Sequence, residues 1–65
     1  MNWVTHDEAI EMYARFLTTR HGEAAVLSAR KRAASLEKKG DPDGVKVWNE
    51  VADVIERKRR EQRKH

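Results

Sequence analysis

Apolar side chains in the first third of the chain fall at Ala9, Ile10, Tyr13, Phe16 and Leu17, the three- and four-residue spacing of one helix face. Just ahead of them, Thr5-His6-Asp7-Glu8 has the form of a capping box: the Thr5 hydroxyl accepts from the Glu8 N–H, and the Glu8 side chain reaches back to Thr5. Asp7, Glu8 and Glu11 put negative charge in the first turns, where the helix dipole favours it. Val4 is placed to staple onto Ala9. A basic last turn and a following glycine, Arg20-His21-Gly22, predict the stop, so the first helix covers about residues 6–20.

A second stripe, Ala25, Val26, Ala29, Ala33 and Leu36, predicts a helix from about Glu23 to Lys39. Its side chains are mostly small, which suits a central helix that its neighbours approach closely. Gly40-Asp41-Pro42-Asp43-Gly44 is the sharpest local signal in the chain. Gly40 supplies a left-handed C′ position, Asp41 an N-cap, and Pro42 a first helical residue whose missing N–H costs nothing. The third helix then carries Val47, Trp48, Val51, Val54 and Ile55 on one broad face, with Val45 and Ala52 at its margin. Both turns are short, so the expected fold is all-α, an up-down-up three-helix bundle over residues 1–55. Trp48, Phe16, Tyr13, Leu36 and Ile55 are the expected core, with Trp3 closing one end or lying at an interface.

Beyond Ile55 the apolar residues stop. Residues 56–65 hold six Lys/Arg against two Glu, while the other 55 residues hold eight Lys/Arg and nine Asp/Glu, so the formal net charge of +3 resides in this segment. It reads as a basic helical extension, supported by Glu56 and Arg60 four residues apart.

Sixty-five residues make one domain. A chain this short buries only about 60% of its unfolded surface, which leaves it marginal without help. Disulfides cannot help, since cysteine is absent, and that composition suits a reducing cytoplasm. No apolar run reaches the roughly 20 residues of a membrane span, and Met1-Asn2-Trp3-Val4 lacks the character of a secretory signal.

The run Arg20-His21-Gly22-Glu23-Ala24-Ala25, followed by Gly40-Asp41, Gly44, Trp48, Val51-Ala52 and Ile55, resembles short bacterial helical proteins of unknown function over about residues 9–57. That resemblance implies a compact helical domain and brings no catalytic residue with it. Ala29, Ala33 and Leu36 leading to Gly40-Asp41 also resemble a tetratricopeptide hairpin. One hairpin is too few for a solenoid, which needs about three repeats.

Chemistry is sparsely provided for. His6, His21 and His65 lie apart, with no i, i+4 pair and no cysteine to complete a zinc site. Ser28 and Ser35 have no nearby histidine, and the Gly40–Gly44 turn carries two aspartates that repel phosphate. No catalytic, metal or cofactor-binding residue is assigned, and neither an enzyme nor a small-molecule ligand is expected.

Two binding readings remain. Arg57, Lys58, Arg59, Arg60, Arg63 and Lys64, with Arg30, Lys31 and Arg32 on the second helix, form a candidate nucleic-acid surface for backbone contacts without sequence preference. The plain alternative is a solvated, solubilising terminus. The favoured expectation is a cytoplasmic binding or adaptor protein that docks a protein partner or a second copy of itself through the apolar face of the third helix. Its expected interface is Trp3, Met12, Val45, Val47 and Ala52. Docking on a membrane is not expected, because residues 56–65 have no apolar face.

Overall fold

A computed structural model of the chain describes residues 4–62. Trp3, Arg63, Lys64 and His65, named above, lie outside the described residues. The elements are α1 (His6–His21), a 3-10 turn (Gly22–Ala24), α2 (Ala25–Lys38) and α3 (Pro42–Gln62). The fold is all-helical, with no strand among the described residues.

The expected layout of three separate helices needs correction. The 3-10 turn leads straight from α1 into α2, so the helical path runs unbroken through residues 6–38 and then 42–62. Two continuous helical runs stand where three separate helices were expected, and the first of them reverses direction at Gly22. Gly22 is the reason. At φ 56° and ψ −123° it turns the chain within one residue, and Glu23-Ala24-Ala25 resume helix at once.

The predicted caps form. Thr5 Oγ1 accepts from the Glu8 N–H at 3.1 Å, and Glu8 Oε1 accepts from the Thr5 N–H at 3.3 Å. At the other turn the Gly40 N–H donates to the Glu37 carbonyl and the Asp41 N–H to the Leu36 carbonyl, a Schellman closure of α2. Asp41 Oδ1 then accepts from the Gly44 N–H at 3.0 Å and caps α3. Gly40 has φ 76° with open space where a Cβ would stand, so backbone conformation alone selects glycine there. Gly40→Ala should lower stability by about 1 kcal/mol, read as a shift of the urea midpoint with an unchanged slope.

The core is small and wholly aliphatic. Ile10, Ala14 and Leu17 come from α1, Ala25, Ala29 and Ala33 from α2, and Val51, Ala52 and Ile55 from α3. Five of these nine are alanines, so α2 lies close against its neighbours. Ion pairs give the helix directions. His6 meets Glu50 and Glu11 meets Lys58, so α1 and α3 run in the same sense. Arg30 pairs with Asp53, and just before α2 the Gly22 carbonyl accepts a hydrogen bond from Arg59, so α2 runs against α3.

Of the expected core only Ile55 is buried. Phe16 and Tyr13 are exposed, while Trp48 and Leu36 are half-buried. The alanine surface of α2 explains the difference. It admits the slim stripe Ile10–Ala14–Leu17, whereas the adjacent stripe with two aromatic rings would hold α1 away. Ala52, an expected interface residue, is another correction: it is fully buried, and Val47 packs against the same cluster. Val45 is half-buried, which leaves Met12 as the exposed member of that set among the described residues.

Candidate functional site

Turning Ile10, Ala14 and Leu17 inward leaves the neighbouring stripe of α1 facing out. Met12 is 60% exposed and Phe16 53%, with Val4 and Tyr13 also exposed beside them. These residues, Trp48 of α3 and Arg32 of α2 line an open groove of about 580 Å³. Tyr13 and Trp48 form its aromatic wall, with ring centroids 5.2 Å apart and planes tilted by 42°. The Arg32 guanidinium lies over the Trp48 ring at 5.0 Å, and Arg20 lies over Phe16 at 5.8 Å. Neither arginine has a carboxylate partner among the described residues. Leu27 on α2 is exposed by itself, as single surface leucines commonly are.

The basic residues singled out in the sequence do not gather into one free surface. Arg30 donates to Asn49 Oδ1 at 2.9 Å, Asp53 Oδ1 at 2.9 Å and Glu56 Oε1 at 2.8 Å. The hydrogen bond to Asp53, then that to Glu56, raises its pKa against some desolvation. Lys58 Nζ pairs with Glu11 Oε1 at 2.7 Å and, chiefly through that bond, holds the Glu11 carboxyl below its ordinary value. Arg59 Nη2 donates to the Gly22 carbonyl at 2.7 Å, close to the end of α1, where a cation is favoured.

Arg57 lines a cleft between α1 and α3 together with Asp7, Glu11, Glu50 and Asp53. A phosphate approaching Arg57 there meets four carboxylates in the same cleft, three of them already engaged by Lys58, His6 and Arg30. Arg32 rests on Trp48, while Lys31, Arg57 and Arg60 make no hydrogen bond or ion pair among the described residues. The segment after Ile55 is tied to the rest of the chain through Glu56, Lys58 and Arg59 and continues α3 without a break to Gln62.

Other chemistry has little footing. His6 Nε2 lies 2.8 Å from Glu50 Oε2, linking the start of α1 to α3. Among the described residues no three His, Asp or Glu side chains come together as a metal site requires. No described helix is long and apolar enough to cross a membrane.

By spacing alone Tyr13 and Phe16 belong to the interior, and Arg20 and Glu8 take capping and dipole roles. One signal pointed the other way. The apolar positions of α1 span two adjacent stripes, wider than one neighbouring helix covers. Compared with family models, curated proteins and solved structures, the chain matches none.

Proposed function

We propose that this chain is a non-enzymatic docking module, a compact bundle of α1, α2 and α3 that binds a protein segment through the outward stripe of α1. The observation that supports this reading most is the groove of Met12, Tyr13, Phe16 and Trp48. Aromatic and methionine side chains are enriched where protein interfaces form, and here they adjoin one another on a single face. The partner's contribution is an amphipathic helix laid along α1, with apolar residues at three- and four-residue spacing to fill the groove. A cysteine-free chain of this kind suits the reducing cytoplasm.

The rival reading is nucleic-acid backbone binding through the basic residues of α2 and α3. It is disfavoured because Arg30, Lys58 and Arg59 already hold protein partners and Arg57 sits among carboxylates. A photoreactive benzoylphenylalanine in place of Phe16, with the same group at Lys31 as comparison, separates the two in living cells that express the protein. Irradiation should give a protein adduct from position 16 and none from position 31. A nucleic-acid adduct from position 31, with none from position 16, would overturn the docking reading.

A further inference from the structure

The outward stripe of α1 has an order of charge along it that bears on what covers it. From one end to the other it reads Val4, Glu8, Met12, Phe16, Arg20: an acid, an apolar centre, a base. Only the base leans toward the middle of the stripe; the acid turns back toward its outer end. Glu8 Oε1 bonds back to Thr5, and the Arg20 guanidinium lies over the Phe16 ring. Glu8 Oε2 makes no hydrogen bond among the described residues, and Arg20 makes none either.

We infer that the partner seated on this groove is a second copy of the chain, its α1 laid antiparallel across the first. This inference rests on the docking reading above and names the occupant. A two-fold axis passing between Met12 and Phe16 pairs each with the other across the interface. The same operation carries Arg20 of the second copy to the level of Glu8 of the first, and the converse pair follows from symmetry. A parallel pairing would set like charge against like charge at both ends, and the antiparallel one also opposes the two helix dipoles. Met12 against Phe16 gives a sulfur–aromatic contact, with Tyr13 and Trp48 along one flank.

The size of the core adds a second argument. Nine residues, five of them alanines, make a small interior, and chains of this length commonly draw on association to supplement it. Covering Met12, Tyr13 and Phe16, with Val4 just ahead of the helix, in two copies at once removes from water the largest exposed apolar side chains of α1.

Sedimentation equilibrium of the full chain, from about 10 µM to about 1 mM, tests this directly, with circular dichroism confirming that each variant keeps its helices. Wild type should form a reversible dimer. Phe16→Glu, at an exposed position, should give a folded monomer throughout. Arg20→Glu and Glu8→Arg should each weaken the dimer by about tenfold or more, and the double reversal should recover most of the loss. Glu8→Gln keeps the capping box while removing the charge, so it separates a lost cap from a lost ion pair. A wild-type monomer at every concentration overturns the second copy. If the photoreactive group at position 16 then still captures another protein, the docking reading survives without it. A dimer indifferent to Phe16→Glu and to both charge reversals overturns this inference, and the docking reading loses its footing on α1 as well.

Discussion

Leu17→Ala should leave much of the protein unfolded at room temperature, whereas Phe16→Ala, one residue away, should barely move its melting curve. Leu17 is 1% exposed and is among the largest fully buried side chains. Truncating such a leucine costs about 2–5 kcal/mol, through lost transfer energy and the cavity left behind. A single core in a chain this short rarely supplies more than about 3–5 kcal/mol in total. The substitution therefore removes most of the margin. Phe16 faces solvent in the free chain, so losing its ring removes little burial from the folded monomer. Thermal melts of both variants at one low protein concentration check the contrast, and the reverse order would place the wrong stripe of α1 inside.

The second large effect is expected from adding volume. Ala29 is fully buried at the centre of the α2 stripe, between the inner residues of α1 and α3. Leucine adds three carbons at a position wholly shielded from solvent within the core cluster, so the helices must separate or the new side chain must leave its preferred rotamer. Such overpacking costs about 1–3 kcal/mol, and Ala29→Leu belongs at the upper end because both neighbouring helices are displaced. Urea unfolding should show a midpoint far below that of wild type. Serine at the same position stays close to alanine in volume, so the loss from Ala29→Ser should be smaller and of a different kind, an added hydroxyl instead of a clash.

Local structure was the most legible part of the sequence, because caps and turns depend on neighbours within a few residues. Thr5 with Glu8, Gly40, Asp41 and Pro42 all take the roles their spacing indicates. Gly22 marked the end of α1, with the next helix expected from about Glu23, but nothing in the sequence hinted that Gly22–Ala24 would form a 3-10 turn joining the two. That outcome follows from one residue's φ and ψ, which the pattern of apolar positions does not encode.

Facing was harder to read. Ile10, Ala14 and Leu17 differ by one helical step from Ala9, Met12, Tyr13 and Phe16, and size alone favours the aromatic stripe as core. The alanines of α2 reverse that preference, since a close neighbour excludes rings. The reach of Arg30 to Asn49, Asp53 and Glu56, and of Lys58 to Glu11, spans 19 to 47 positions of sequence and depends on helix rotation. A charge count therefore saw a basic tail where the fold has several charges already engaged.

Hydroxyl-radical footprinting with residue-level mass spectrometry addresses the outward face of α1 most directly. In dilute protein Met12, Tyr13 and Phe16 should oxidise readily while Ile10 and Leu17 stay protected, and Met12 and Phe16 should lose reactivity as the protein is concentrated. Met12 and Phe16 as unreactive as Leu17 at every dilution would contradict it, returning the aromatic stripe to the interior and leaving no groove to dock on.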